Sequence, residues 1–561
     1  MSGDGRKRIV ILGGGFAGVY TAQSLEKALG RRDDFQITII NKVNYFVFQP
    51  MLPEVISGSI GMLDTVSPIR RLLPRTQLHV RDVESIDLRG KTVTTSPGFK
   101  PHHHVIPYDH LVLALGSVTD FRGLRGLPEH ALPFKNLADA LHLRNHVIRA
   151  LEEAAIEESD ANLRRQLLTF VVAGGGFSGV EVVAELNDFV RGVVRHYPTI
   201  DPKEIRVALL HSQDRILPEM SEKLALFAQQ LLQKRGVELR LNTRLEAATG
   251  EAAVLAGGEK ITTRTLVSTV PSFPHPLVDG LNLPKGKNGR LITSEFLQVE
   301  GAESIWAVGD CAQVPAPGGG ACPPTAQHAT RQAAVAAHNI VAAIRGGERK
   351  KFAFGGLGTM GALGHRSAVA QILGMNISGF AAWSLWRTIY LMKLPGWGRR
   401  LKVASSWALD LFLPAELVEL KLSGSIAITK EHFEPGEEVF HQDDLGDRIY
   451  IIVSGEADVI READTGDRVL ARLGPGEYFG EMALLREATR QATVRCVAPM
   501  NTLSLAKRDF SLLASYLPGV RDTFQNEMKR RVDSNEQNFS LKAEDSPAST
   551  AWSASKGPPA T

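Results

Sequence analysis

Gly13-Gly14-Gly15-Phe16-Ala17-Gly18 and Gly174-Gly175-Gly176-Phe177-Ser178-Gly179 are the two stretches whose reading decides the fold. Each follows a β-branched or apolar run, Arg8-Ile9-Val10-Ile11-Leu12 and Thr169-Phe170-Val171-Val172-Ala173, of the kind that makes a buried parallel strand. The first glycine of such a turn (Gly13, Gly174) permits the tight bend. The second (Gly15, Gly176) lets backbone approach a pyrophosphate, and the third (Gly18, Gly179) lets helix pack on strand. The pyrophosphate then lies at a helix N-terminus, where unpaired N–H groups and the helix dipole favour negative charge. A single turn of this type is also compatible, though less so, with a Gly-rich loop that holds nothing. Two in the same strand–turn–helix setting predict an α/β chain with two Rossmann-like dinucleotide-binding domains, an arrangement suited to passing electrons from one dinucleotide to another.

Outward from these turns, composition narrows the choice. At 561 residues the chain has room for roughly three or four domains. With 43% hydrophobic and 22% charged residues it has material for packed cores. A net charge of +3 without a long Lys/Arg run argues against a nucleic-acid partner. The N-terminus leads straight into the first strand, and a signal peptide is not expected. The three cysteines, Cys311, Cys322 and Cys496, form no C-x-x-C, which excludes a relay of the thioredoxin-reductase kind. They read as isolated reduced thiols of a cytosolic compartment. His102-His103-His104 lacks an accompanying Cys or carboxylate cluster, so a solvated turn is expected and no metal.

The pattern along the chain gives the organisation. Residues 1–120 carry the first unit and a closing strand that ends at Gly116-Ser117. Residues 121–289 carry the second, whose second strand is Ile205-Arg206-Val207-Ala208-Leu209-Leu210. Residues 290–355 return to the first domain and include the helix beginning Thr325-Ala326-Gln327-His328. Residues 356–415 change character. Four of the six tryptophans, Trp383, Trp386, Trp397 and Trp407, interleave there with Arg387, Lys393, Arg399, Arg400 and Lys402. The charge-free stretch from Ser367 to Trp386 is broken by Gln371, Gly374, Asn376 and Gly379 into strand, turn and helix start, and makes a poor transmembrane span. Two helices broken at Pro395-Gly396 fit better, as an amphipathic anchor lying in the headgroup plane, with a soluble dimer or core surface as the alternative. From 416 to 533, Gly436, Gly446, Gly455, Gly466 and Gly474 punctuate short strands such as Arg448–Val453 and Arg468–Leu473, the signature of a β jelly-roll, which a basic helix from about Arg508 to Val532 closes. Residues 534–561, rich in Ser, Ala and Pro, are expected to be a disordered tail.

Ser304-Ile305-Trp306-Ala307-Val308-Gly309-Asp310 resembles the second flavin motif of two-dinucleotide flavoproteins, whose aspartate hydrogen-bonds the ribityl chain of FAD. A helix N-cap is the plainer role for Asp310. Asn44-Tyr45-Phe46-Val47-Phe48-Gln49-Pro50-Met51-Leu52-Pro53-Glu54-Val55, Gly179-Val180-Glu181 and Ala326-Gln327-His328-Ala329-Thr330-Arg331 carry the resemblance further. The first 415 residues resemble the type II NADH dehydrogenases, single-subunit NADH:quinone oxidoreductases that pump no protons. The resemblance implies FAD on Gly13, Gly15, Gly18, Asn41, Gly116, Gly309 and Asp310. It implies NADH on Gly174, Gly176, Gly179, Glu181 and His211. Glu181 is placed near the nicotinamide, and Gln327 and Arg331 at a quinone mouth. It also implies a homodimer, peripheral on the cytoplasmic face of the cell membrane. Sulfide:quinone oxidoreductases share this architecture but need a spaced redox cysteine pair.

The chain departs from the family at several positions. Arg331 stands where a second glutamine is usual, with Gln332 one place later. Asn41 replaces an acid that often takes the adenosine ribose of FAD. His211 replaces the acid that accepts the NADH ribose hydroxyls, which leaves NADPH possible with Arg215 nearby. Thr269-Val270-Pro271 replaces a more usual Ala-Gly.

Phe479-Gly480-Glu481-Met482-Ala483-Leu484-Leu485 followed by Arg490-Gln491-Ala492-Thr493-Val494 resembles the phosphate-binding cassette of cyclic-nucleotide-binding domains. The resemblance gives Gly480, Glu481, Ala483, Arg490 and Gln491 to a cyclic nucleotide, cyclic AMP being favoured. Arg490 takes the phosphate and Glu481 the ribose 2′-OH. An internal Arg490–Glu481 pair in a domain without ligand is the alternative. Two other readings of the whole chain stand beside the enzyme: a cyclic-nucleotide sensor on a vestigial flavin scaffold, and a flavoprotein reductase using NADPH or a non-quinone acceptor.

Overall fold

The computed structural model describes residues 6–30, 34–98, 102–119, 121, 124–269, 272–410, 413, 416–420, 428–433, 435–446, 448–462, 466–480 and 489–506. They fall in two compact units. One holds the residues up to Leu420 apart from 97–103, and the other holds 97–103 and the residues after Leu420.

Each apolar run that precedes a glycine turn is the central strand of a five-stranded parallel sheet. The first sheet runs Ile305–Ala307, His110–Leu113, Lys7–Leu12, Phe35–Asn41, Gln77–Val80. The second runs Ala131–Pro133, Thr265–Ser268, Thr169–Ala173, Arg206–Leu210, Val237–Arg240. All five residues of Thr169–Ala173 are buried, as a parallel strand covered on both faces requires. In each sheet the next strand in sequence lies on one side of the central strand and a later one on the other. A crevice therefore opens at the carboxyl end of Leu12 and again at that of Ala173. The helices Phe16–Leu29 and Phe177–Val193 begin at those crevices. The first sheet is completed by Ile305–Ala307, from chain that returns after the second sheet is built.

After the helix Ala326–Arg345, the strands Gly358–Ala362, Ala368–Ile372 and Met375–Ser378 form an antiparallel sheet that leads into the helices Gly379–Lys393 and Trp397–Leu409. The break between them falls at Pro395-Gly396, where Gly396 takes φ +89°. Among the described residues no helix is long and apolar enough to cross a membrane.

The tryptophan pattern of this region divides in a way its sequence hides. Trp386 and Trp407 are core residues, and only Trp397 is fully outward, at 82% exposed. Arg387 lies between the Trp383 and Trp407 rings, 4.2 Å and 4.7 Å from their centroids, and points into the protein. The outward apolar set is Phe380, Met392, Trp397, Leu401 and Leu409, beside exposed Lys393 and Lys402.

In the second unit, Thr493–Ala506 pairs antiparallel with Ile428–Phe433, Glu438–Phe440 and Arg448–Arg461, and the last of these pairs with Arg468–Leu473 and Tyr478–Phe479. Two strands are longer than the glycine spacing predicts. Gly455, read as a turn, lies within Arg448–Arg461 at φ +90°, and the register shifts around it make a bulge. A glycine in that conformation lets the strand kink and continue instead of reversing. The closing helix from Arg508 and the tail lie outside the described residues.

Candidate functional site

The two turns share one geometry. Gly13 and Gly174 have φ of +105° and +121°, which favours glycine. A Cβ on Gly18 would stand 1.8 Å from the Gly13 carbonyl oxygen, and one on Gly179 would stand 1.8 Å from that of Gly174. The third glycine thus sets how closely helix and strand approach. Gly15 differs: a Cβ there would meet nothing within 4 Å, and one on Gly176 would meet only the Glu219 carboxylate at 4.0 Å. Both residues are N-caps without a side-chain partner, and neither helix has an acid in its first turn. Open space, free backbone N–H groups and the positive end of a helix come together twice, which suits a pyrophosphate.

Asn41 and His211, at the ends of the second strands, occupy matching places. The Gly14 N–H donates to Asn41 Oδ1 at 2.9 Å, and Asn41 Nδ2 donates to the Val43 carbonyl at 2.9 Å. The Gly175 N–H donates to His211 Nδ1 at 3.1 Å. Each side chain therefore buttresses its own turn. Because Nδ1 accepts, the ring proton belongs on Nε2, a buried atom. Burial holds the imidazole below its usual basicity, with the Glu219 carboxylate, the Arg215 backbone and the Asp214 carboxylate opposing, so the neutral form is favoured.

Asp310 lies in the short turn Gly309–Cys311 beyond Ile305–Ala307, at the same sheet edge as the first glycine turn. Ser117 Oγ donates to Asp310 Oδ2 at 3.1 Å. Gly309 has φ +76° and Gly116 φ +68°, and a Cβ on Gly116 would meet nothing within 4 Å. The Gly309 N–H donates to Gln332 Oε1 at 2.8 Å. The shifted glutamine thus braces this motif, while the helix face of Gln327 and Arg331 looks elsewhere. Gln327 Nε2 donates to the Gly358 carbonyl at 3.1 Å, and Arg331 stacks 4.0 Å over the Phe354 ring. Cys311, Cys322 and Cys496 are all buried and none is in a disulfide. Burial pushes the Cys311 thiol up to about 11, which disfavours a reactive thiolate. Among the described residues no group of His, Cys, Asp or Glu is placed to hold a metal.

Sequence reasoning singled out Glu181 but missed the buried acids that accompany it. Glu181 and Glu185, one turn apart on Phe177–Val193, face Glu54 of the short helix Pro53–Ser57. Their spacing on an otherwise apolar helix face was the available signal. The Ala362 N–H donates to Glu181 Oε1 at 3.0 Å. Burial pushes Glu181 up to about 8, with repulsion from Glu54 adding to it. Glu185 is also pushed up to about 8, by burial first and then by Glu54, against opposing contributions from Ser57 and Arg387. The unfolded chain releases the Glu185 proton near 4.5, whereas the folded chain keeps it to about 8. Stability from this group is therefore highest below 4.5 and falls as pH rises to about 8. Glu185→Gln should remove that part of the slope, so its thermal midpoint should gain on the wild type across this window. A constant difference in midpoint would contradict the assignment.

In the second unit Arg490 is 3% exposed. Its Nη1 donates to the Gly480 carbonyl at 2.8 Å and its Nη2 to the Arg448 carbonyl at 2.9 Å, with the guanidinium 4.0 Å over Phe440. Gly480 has φ +88°, and a Cβ there would stand 2.5 Å from Arg490 Nη1. Gln491 is exposed. Glu481 and Ala483 lie outside the described residues.

Comparison with known proteins adds the following. Residues 7–333 match the pyridine nucleotide-disulphide oxidoreductase family, and residues 430–515 match the cyclic nucleotide-binding domain. The type II NADH:quinone oxidoreductase NdhA of Mycobacterium tuberculosis is 32% identical over 76% of this chain and 90% of its own length. The type II NADH:quinone oxidoreductase of Staphylococcus aureus is 30% identical over 67% of this chain and 92% of its own. The solved structure of NDH2 from Plasmodium falciparum in complex with NADH superposes with a TM-score of 0.68 at 18% identity, covering 74% of this chain and all of that one. That likeness is one of fold.

Proposed function

Since the chain belongs to the type II NADH:quinone oxidoreductases, within the pyridine nucleotide-disulphide oxidoreductase family, we propose that it oxidises NADH through FAD and reduces a membrane quinone, without moving protons across the membrane. The observation that carries this is the pair of open glycine turns, each following the central strand of a five-stranded parallel sheet. FAD, when bound, supplies the hydride acceptor and the electron donor to quinone.

The rest falls to the chain. The N–H groups behind Gly15 hold the flavin pyrophosphate, and Gly116, Gly309 and Asp310 line its ribityl side. Asn41 keeps the first turn in shape. Gly174, Gly176 and Gly179 do for NADH what their counterparts do for the flavin. Glu181 accepts from Ala362 at Oε1, which leaves Oε2 to carry its proton. A neutral acid at this point donates to the nicotinamide amide and orients it. Gln327 and Arg331 border the quinone entrance. The outward apolar side chains of Gly379–Lys393 and Trp397–Leu409, with Lys393 and Lys402, suit a peripheral anchor on the cytoplasmic face of the cell membrane, in a homodimer. The terminal domain binds a cyclic nucleotide, cyclic AMP by preference, and regulates turnover.

The test is direct. The purified full chain should be yellow, lose its colour to NADH without oxygen, and regain it on adding a soluble quinone. A colourless protein, or a yellow one untouched by NADH, overturns the reading.

His211 favours a second coenzyme beside the first. With a neutral imidazole in place of a carboxylate, the site does not repel a 2′-phosphate as an acid would. NADPH should therefore be oxidised as well. Restoring the acid in His211→Glu should raise the kcat/KM ratio of NADH over NADPH by about tenfold or more, the scale of one charged hydrogen bond. An unchanged ratio in steady-state assays would remove His211 from coenzyme choice.

A further inference from the structure

The basic residues of the two amphipathic helices do not all face outward. Arg387, on Gly379–Lys393, reaches Glu54 Oε1 at 3.4 Å and Asp410 at 3.6 Å. The Trp407 indole N–H, on Trp397–Leu409, donates to Glu54 Oε2 at 2.8 Å. Glu54 is 4% exposed, so one buried carboxylate receives a partner from each helix. Asp64 provides a contrast. It is held by Arg399 at 3.2 Å and by Ser406 at 3.2 Å, both from the second helix. Glu54 thus ties the helices to each other as well as to the flavin-side segment, whereas Asp64 secures the second helix alone.

What Glu54 holds in place matters for electron exit. Tyr390 lies one turn beyond Arg387 on the same helix. Its ring packs 4.7 Å from Trp386 and 5.8 Å from Phe48, and Phe48 packs 5.6 Å from Phe16, the first helical residue after the FAD-side turn. Tyr390 also feels the carboxyl of Glu181, from the helix after the NADH-side turn. Through Phe48 and Phe16, Tyr390 therefore connects Gly379–Lys393 to the FAD-side turn, and on the reading above that helix faces the membrane from which quinone arrives. A helix displaced by even part of a turn would move that ring.

We propose that Glu54 is a positioning residue for quinone reduction: by gripping Arg387 and Trp407 together it fixes Gly379–Lys393 and so holds Tyr390 against Phe48 on the flavin side. The proposal rests on the quinone-reductase reading above. It concerns electron exit to quinone and leaves electron entry from NADH to other residues. The groups that face Glu54 are Arg387, Trp407, Asp410, Glu181 and Glu185. Arg387 is the only cation of this set, so loss of the Glu54 charge acts mainly on its position.

Glu54→Gln, Trp407→Phe and, as a control, Asp64→Asn test this in the full-length flavin-loaded chain. Glu54→Gln should be bleached by NADH at the wild-type rate, while its KM for a soluble quinone rises about tenfold, the scale expected for one charge-assisted contact. Hydrogen exchange should quicken through both helices. Trp407→Phe should raise the KM in the same direction and carries the test if Glu54→Gln does not fold. Asp64→Asn should quicken exchange in 397–409 and leave the KM unchanged. Wild-type KM and exchange in Glu54→Gln and Trp407→Phe would overturn the proposal. Loss of NADH bleaching in step with quinone reduction would also overturn it, because a general structural role predicts that. Failure of the quinone-reductase reading itself is distinguishable: the wild type would then not be bleached by NADH, or not recoloured by quinone.

Discussion

Gly18→Ala is expected to yield a protein without flavin, and Gly179→Ala a yellow protein that NADH no longer bleaches. Each new methyl would stand 1.8 Å from a carbonyl oxygen of its own turn. The neighbour is backbone, so no flexible side chain can yield and the helix must back away from the strand. Overpacking of this kind costs roughly 1–3 kcal/mol or more. The displaced helix also withdraws the N–H groups that receive the pyrophosphate. Gly15→Ala and Gly176→Ala separate the two effects, since a methyl on either meets nothing closer than 4.0 Å within the chain. These should keep the wild-type melting temperature and still lose coenzyme, because the methyl fills the ligand's own space. Flavin released per mole of protein, anaerobic NADH titration and thermal melts read all four. Gly18→Ala with full flavin content would show that the first turn is not where FAD binds.

Arg490→Ala is expected to weaken cyclic AMP binding by about 1.5–3 kcal/mol, the worth of a charged hydrogen bond, or roughly ten- to more than a hundredfold. The argument is geometric as well as chemical. The guanidinium is buried, stacked on Phe440, and holds the Gly480 carbonyl at the beginning of the cassette. Its removal takes away the cation a cyclic phosphate requires and leaves the Gly480 and Arg448 carbonyls without this donor. Calorimetry with cyclic AMP on the full chain decides the matter. Equal affinity in mutant and wild type would remove Arg490 from the nucleotide site. NADH bleaching of the mutant should be unchanged, since both glycine turns belong to the other compact unit.

Much of the fold could be read from local pattern, because local forces make it. The central strands, the glycine turns and the reading of 367–386 as strand, turn and helix start each depend on residues close in sequence. So does the helix break at Pro395-Gly396. What escaped depends on partners far along the chain. Nothing near Trp407 indicates that its indole N–H meets Glu54, more than 350 positions earlier. Interleaved aromatic and basic residues suggested an amphipathic anchor, with a dimer or core surface as the alternative. They did not tell which of them turn inward: Trp407 and Arg387 meet buried acids, and Trp386 packs in the core. Gln332 looked like a quinone-site residue displaced by one place. A single helical step swings it to the Gly309 motif, a shift that needs the neighbouring strand to be seen. Asn41 was read against a ribose; that its Oδ1 and Nδ2 also meet Gly14 and Val43 is set by how the turn closes over it.

The sealed cysteines have a practical consequence. With Cys311, Cys322 and Cys496 all shielded from solvent, alkylating reagents should find no native target in the folded protein. A cysteine introduced at the outward-facing Trp397 would then accept a fluorophore alone, with the native thiols left in place. The emission of that probe with and without lipid vesicles would test whether the protein settles onto a bilayer as proposed.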